Sequence, residues 1–422
     1  MLKLKFFKNN NLKKTEVGEI PKDWEVKRLL DVVNVVKGTE PGSKNYRKKG
    51  DVRFIRVSDL SKNILEKIYL NTNEVKNLTI VNENDVLLVL DGIPGIVAMG
   101  YNGAISSGIR KLNIKDKNKL HNKFLYYILQ INAIQKIILY YATGTTIKHA
   151  SKSISYIKIP LPPLDEQKAI AKVLKDFDDL LEIIEEKIKT FEKIKKKLME
   201  IYFTKGVFEH KEFKDTELGR IPKDWKVIKL EEIAKIESGN TAPQKEKYFK
   251  NGKYPFIRMQ HLNFLSKNRF IKYFDLINDK AVKELKLKLF KKGSILLPKS
   301  GESIRTEKKA MLSLDSYVVN HLAIIEVKDK SKLNNEYLFY YFKRFKLSSL
   351  IMQTTTPSIK LSTLRNIKIP LPSLEEQKEI AKRLKVIDNQ IENLKNQKET
   401  LQKIKKKFMD LLLTGKIRVK EV

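Results

Sequence analysis

Ile20-Pro21-Lys22-Asp23-Trp24 recurs as Ile221-Pro222-Lys223-Asp224-Trp225, an offset of 201 positions. Phe54-Ile55-Arg56 recurs as Phe256-Ile257-Arg258 at an offset of 202. Ile157-Lys158-Ile159-Pro160-Leu161-Pro162 and Lys193-Ile194-Lys195-Lys196-Lys197 both recur at an offset of 210. The order never changes, so the chain is one unit written twice, and a fold for it must hold two copies of one scaffold. The offset grows from 201 to 210, which places extra residues in the middle of the second copy. The flanks match well, whereas residues 60–150 and 262–356 match poorly. A common frame around divergent interiors points to two units doing one job on different targets.

Within a copy, apolar runs and turn residues alternate with helical periodicity. Val52-Arg53-Phe54-Ile55-Arg56-Val57 reads as a strand. Val86 to Leu90 reads as a buried strand entering the turn Asp91-Gly92, with Ile295-Leu296-Leu297 before Ser300-Gly301 as its counterpart. Lys123 to Tyr141 and Glu336 to Met352 carry apolar residues at helical spacing. The Ile-Lys-Ile-Pro-Leu-Pro segment then predicts an extended piece stopped by its prolines.

A long helix follows in each copy. Acids at Asp165 and Glu166 suit a helix N-terminus, and Ser373 with Glu376 three residues on has the pattern of a capping box. Ile170, Phe177, Ile184, Phe191 and Leu198 repeat every seven residues, interleaved with Leu174, Leu181, Ile188, Lys195 and Tyr202. The second copy gives Ile380, Ile387, Leu394, Leu401 and Phe408, interleaved with Leu384, Ile391, Lys398, Lys405 and Leu412. A heptad seam held this long predicts helix-on-helix packing, although one long core helix per domain would also carry such a stripe. The expected fold is α/β: two tandem mixed α/β domains, each followed by a long helix. The two helices are expected to form an antiparallel coiled coil with pseudo-two-fold symmetry. The expected boundaries are residues 1–160 and 206–370 for the domains, and 161–205 and 371–422 for the helices with the C-terminal tail.

Lys and Arg total 85 against 50 Asp and Glu, a net charge of +35, which favours a polyanionic partner such as nucleic acid. A lysine-rich proteome would inflate the charge as well. The absence of cysteine excludes disulfides and thiolate metal sites and fits a cytoplasmic setting. No run has the length of a signal-peptide core or a membrane span. No phosphate-binding glycine loop, dinucleotide fingerprint or amino-methyltransferase tetrad occurs, and Thr414-Gly415-Lys416-Ile417 lacks the residues a phosphate loop needs. None of His121, His149, His210, His261 and His321 stands at metal-ligand spacing from another. Glu307 and Asp315 make only a poor nuclease pattern. No catalytic, cofactor-binding or metal site is therefore expected in this chain.

The Ile-Pro-x-x-Trp-x-Val opening of each half, the loop after the apolar strand, and the Pro-Leu-Pro block leading into Glu166-Gln167-Lys168 and Glu376-Gln377-Lys378 together resemble the specificity subunit of type I restriction–modification systems. The resemblance covers nearly the whole chain. It implies two target-recognition domains separated by antiparallel helices, which present a bipartite double-stranded DNA sequence to partner subunits. Those partners would be methyltransferase subunits, two per chain, which bind S-adenosylmethionine and methylate adenine N6, together with translocating restriction subunits. Lysine at 195, 398 and 405 departs from an apolar seam. Two other readings are a fused nuclease or methyltransferase with an unrecognised site, and a coiled-coil scaffold that binds nucleic acid, RNA included.

Base contacts specify sequence and phosphate contacts position the protein, so readers are expected on loops of the divergent interiors. In the first copy these are Arg56, Asp91, Arg110, Thr143, Thr145, Thr146, Lys148 and His149. In the second they are Arg258, Lys299, Ser300, Arg305, Gln353, Thr354, Thr355 and Lys360. Arg56 and Arg258 recur identically, which suits a phosphate contact or a structural ion pair better than base reading. Trp24 and Trp225 are expected as core anchors, and the lysine runs near 195 and 405 as solvated faces.

Overall fold

A computed structural model describes residues 4–61, 66–266, 269–351 and 357–421. The chain divides into two compact units, Met1–Ile183 with Glu399–Val422, and Ile184–Lys398. Each long helix is thereby shared between the units, and each unit contains a stretch of both.

In the first unit an antiparallel sheet runs in the order Val97–Ala98, Val86–Val89, Ile109–Ile114, Val33–Lys37. The continuous apolar run at its centre is buried throughout, from Val86 to Leu90, because both of its faces are covered. A second sheet runs Ile68–Leu70, Val52–Ile55, Gly103–Ile105, Ile80–Val81, with Gly103–Ile105 parallel to Val52–Ile55. The second unit repeats the plan with a longer sheet: Ala234–Ser238, Leu322–Val327, Ile295–Pro298, Ala310–Met311, Phe270–Ile271, Leu265–Ser266. Its smaller sheet again pairs Tyr317–Val318 parallel to Tyr254–Ile257. Within the first unit the terminal strands Leu4–Lys8 and Ile417–Glu421 pair antiparallel.

Some elements are shorter than the periodicity implies. The Lys123–Tyr141 stretch is two helices, Asn122–Ile128 and Asn132–Tyr140, because Ile131 turns extended and Gln135 donates its side-chain amide to the Leu129 carbonyl between them. The strand at Val52 ends at Ile55, since the Arg56 N–H donates to the Asp59 carboxylate at 2.8 Å and starts a helical turn. The helix expected from Glu336 spans Asn335–Arg344, capped by the Asn334 side chain. Beyond its end, the Glu307 carboxylate receives the Leu347 and Ser348 N–H groups and the Lys309 ammonium. Met352 lies outside the described residues.

The Pro-Leu-Pro block is extended in both units. Lys158–Leu161 pairs with Glu25–Arg28, and Lys368–Leu371 with Lys226–Lys229. The long helices Leu164–Tyr202 and Leu374–Leu412 have 39 residues each. Their first turns explain the motif that precedes them. Glu166 and Glu376 are buried and accept the indole N–H of Trp24 at 3.2 Å and of Trp225 at 2.9 Å. Gln167 and Gln377 are fully buried. Gln167 spans the Lys119 and Pro162 carbonyls and the His121 N–H, and Gln377 spans the Lys332 and Pro372 carbonyls and the Asn334 N–H. Ser373 caps its helix by accepting the Glu376 N–H. The expected reciprocal bond is absent, because the Glu376 carboxylate turns inward to Trp225, Val207 and Phe208.

The helices pack antiparallel inside each unit. In the first, the early part of one meets the late part of the other, with Phe177 against Phe408 at 5.4 Å between ring centres. In the second, Ile188, Ile391 and Leu394 are buried together beside Ile184, Phe191 and Ile387. The seam lysines are compensated rather than exposed. Lys195 bonds at 2.6 Å to the fully buried Asp388, which also accepts the Tyr340 hydroxyl. Lys405 bonds Asp178, which accepts the Tyr127 hydroxyl at 2.7 Å. Lys398 bonds Glu185. Among the described residues no helix is long and apolar enough to cross a membrane.

Glu376→Ala strands the Trp225, Val207 and Phe208 donors, each costing about 1–3 kcal/mol when buried and unpaired. Denaturant unfolding is expected to show a loss of about 3 kcal/mol or more. Against burial, which would raise it, bonds from Lys309, Ser348 and Leu347 hold the Glu307 carboxyl down at about 2. A depressed carboxyl stabilises the fold above its unfolded value and loses that contribution as pH falls through its folded value. Acid titration of stability between about pH 4.5 and 2 is therefore expected to be shallower in Glu307→Gln than in wild type.

Candidate nucleic-acid interface

In the first unit the buried strand Val86–Val89 delivers Leu90 and Asp91 to a junction of three chain segments. The Leu90 N–H donates to the Gly108 carbonyl at 3.0 Å, and the Ala150 N–H donates to the Leu90 carbonyl at 2.8 Å. Asp91 thereby pairs with His149 across a short two-stranded ladder. Its carboxylate accepts from Arg110 at 2.8 Å on one oxygen and meets His149 Nδ1 at 2.9 Å on the other. Burial would raise the Asp91 carboxyl, but the bonds from His149 and Arg110 outweigh it and hold it below the usual carboxylate range. Arg56, Asp91, Arg110 and His149 line one open cleft, together with Lys37 and Glu40.

The second unit builds the same junction. The Lys299 N–H donates to the His321 carbonyl at 3.0 Å, and the Ile359 N–H donates to the Lys299 carbonyl at 2.9 Å. Ser300 bridges Ser358 as Asp91 bridges His149. Both turns continue through a left-handed glycine, Gly92 at φ +91° and Gly301 at φ +76°. The backbone thus places Asp91 with Ser300, His149 with Ser358, and Gly108 with His321. A side chain at Gly108 would run into Val57 and the Asp91 carbonyl, with 2.8 and 2.9 Å to its first carbon, so the first unit has no room for one. Ser300 Oγ lies 2.7 Å from His321 Nδ1.

The other expected contact residues fall into distinct settings. Arg110 is buried, and its guanidinium also bonds Ser151 and the Ser107 carbonyl, so it holds the junction rather than facing solvent. Arg56 donates to the Glu66 carbonyl. Arg258 donates to Asp275 at 2.5 Å and to the Pro243 carbonyl. Both shared arginines therefore tie their own loops together. Thr143 and His149 exchange backbone hydrogen bonds at 3.0 and 2.7 Å around Gly144, at φ +105°, which presents exposed Thr145, Thr146 and Lys148 at the tip. Arg305 pairs with Glu302 at 3.2 Å on the surface, and Lys360 is exposed at the start of the short helix Leu361–Arg365. Gln353, Thr354 and Thr355 lie outside the described residues. His321 was legible only as a histidine without a metal partner. Its place beside Ser300 requires the pairing of Leu322–Val327 with Ile295–Pro298.

Glu307 is engaged with Lys309 and backbone donors, and Asp315 with Lys291 and the Lys292 N–H. Among the described residues, no three His, Asp or Glu side chains are grouped to hold a metal ion.

Residues 21–193 and 222–403 match the family described as the type I restriction modification DNA specificity domain. Over 445 aligned residues the chain is 38% identical to the type I restriction enzyme MjaVIII specificity subunit of Methanocaldococcus jannaschii, with 99% of each chain covered. It is 34% identical over 444 residues to the MjaIX specificity subunit of the same organism, again with 99% of each covered. In structure it is similar to the S subunit of a type I restriction–modification system from M. genitalium, with a TM-score of 0.61 at 18% identity, covering 96% of this chain and 97% of that one. Two repeated scaffolds, two matched domains and full-length relatives agree: the chain belongs to the type I restriction–modification DNA specificity family, carries two of its domains in tandem, and has a DNA-recognition rather than a catalytic role.

Proposed function

We propose that this protein recognises a bipartite double-stranded DNA target, one half-site per recognition domain, and directs methyltransferase subunits to adenine N6 within it. The observation that carries this reading is the doubled junction. One backbone frame recurs with different side chains, Asp91, Arg110 and His149 in one unit and Ser300, His321 and Ser358 in the other. A frame conserved in backbone and varied in side chain suits two readers of different sequences. The recognition domains are taken as residues 1–160 and 206–370, with exposed Thr145, Thr146, Lys148 and Lys360 supplying contacts beside the junctions. The surplus of +35 supplies the non-specific attraction. The partners are two methyltransferase subunits, which carry S-adenosylmethionine, and restriction subunits that translocate DNA; the setting is the cytoplasm. The long helices serve as a spacer, since a helix gains about 1.5 Å per residue and successive major grooves lie about 34 Å apart.

The deciding experiment expresses this chain with its methyltransferase subunits in a host lacking DNA methylation and maps N6-methyladenine. A two-part motif with a fixed gap, lost when this chain is omitted, is the expected result. A single undivided motif independent of this chain overturns the reading. Duplex binding is expected to weaken steeply with salt, log K falling by about 0.9 per contacted phosphate in a log-salt titration. Inserting four residues after both Ile184 and Leu394 lengthens the spacer by about 6 Å. The gap in the methylated motif is expected to change while both half-sites stay the same.

A further inference from the structure

Of the five histidines, His149 and His321 are exposed, whereas His121 and His210 are partly covered and His261 is buried. The two exposed rings occupy corresponding junctions, one per unit, but they come from different segments. His149 lies on the short strand Lys148–His149 paired to Asp91–Gly92, and His321 lies immediately before the strand Leu322–Val327. Each ring is held through Nδ1 by the side chain at the same frame position, Asp91 at 2.9 Å and Ser300 at 2.7 Å. The outer nitrogen, Nε2, has no hydrogen-bond partner among the described residues. A surface ring held at one nitrogen and open at the other is a preorganised hydrogen-bonding group, arrived at by two different residues in two units that otherwise diverge.

We propose that His149 and His321 are specificity-determining residues, each reading the major-groove edge of one base pair in its own half-site. This deepens the proposed function and rests on it. The two pins imply different chemistry. A carboxylate can only accept, so Asp91 requires the proton on His149 Nδ1, and in the neutral ring Nε2 is then an acceptor. Such an acceptor suits the amino group of cytosine N4 or adenine N6. The Ser300 hydroxyl donates or accepts, so His321 Nε2 serves either a base amino group or an acceptor such as guanine N7. Arg110 acts through Asp91 and is a positioning residue, and Ser300 has the same relation to His321.

The test uses the full chain assembled with its methyltransferase subunits, as wild type, His149→Ala and His321→Ala. Each complex is scored by genome-wide N6-methyladenine mapping and by competition binding to duplexes substituted at every base of the motif. Both side chains are exposed, and thermal unfolding of each variant checks that folding is intact. Each variant is expected to lose about tenfold in preference at one base pair of one half-site, the two variants affecting opposite halves, with the gap unchanged. His149→Gln and His321→Gln are expected to alter the preferred base at the same positions. Unchanged preference throughout overturns the inference, as does uniform weakening across all sequences with a smaller salt slope, which marks a phosphate contact. An effect in only one variant overturns the claim for the other residue. If the wild-type complex itself yields no two-part motif, the proposed function falls, an outcome separable from failure of the variants alone.

Discussion

A buried carboxylate at the first turn of each long helix is the constraint on which the rest of this protein depends. Glu166 and Glu376 receive the indole N–H of Trp24 and Trp225, fully buried residues that arrive from the opening motif of each half. A carboxylate is costly to bury unless its oxygens are hydrogen-bonded, so the helix start, the tryptophan loop and a further polar partner are obliged to coincide. In the first unit Arg418 bonds Glu166 and also reaches Asp23; in the second the His210 ring lies between Glu376 at 3.0 Å and Asp224 at 3.1 Å. The neighbouring glutamine satisfies three backbone groups of the domain and of the helix entrance. Helix and domain are therefore joined by polar bonds of defined geometry rather than by apolar contact alone, which fixes the direction in which each helix leaves its domain.

The seam between the helices follows the same logic. Asp178 and Asp388 each take a tyrosine hydroxyl from the adjoining domain and a lysine from the other helix, Lys405 and Lys195. A buried ion pair such as Lys195–Asp388 adds little net stability, yet it penalises any register that separates the partners. Under the proposed spacer role such a penalty is useful, since a slide of one heptad separates Lys195 from Asp388, whereas a purely apolar seam tolerates it. Lysines that break a hydrophobic pattern are here the residues that define its register.

The junction proposed to recognise DNA is built on a buried frame. Val86–Val89 and Ile295–Pro298 are central strands, buried on both faces, and they end at the residues whose side chains vary between the units. Positive-φ glycines turn the chain away immediately afterwards, so Asp91 and Ser300 follow directly on buried strands. Diversity at such a point costs the core nothing, so two copies of one scaffold can keep their strands while the side chains at the junction differ.

The duplication, the mixed α/β character of each half, the two long helices and the family are legible in the order of residues, because repeats, heptads and proline-bounded motifs are local in the chain. The turns at Asp91-Gly92 and Ser300-Gly301 are visible as well, since turn residues after an apolar run are local in the chain. What those residues touch depends on segments that meet only in the fold. Arg56, Arg110 and Arg258 look like DNA contacts in a basic chain, yet their guanidiniums bond groups of their own unit, some brought near only by folding. His321 acquires meaning only through strand register, which pairs residues remote in sequence. The break within the helical 123–141 stretch is hidden for a related reason: periodicity reports which face is buried, but not where a side-chain amide takes a backbone carbonyl between two helices. Local pattern is written in the order of residues, whereas a site is written in the distances between segments.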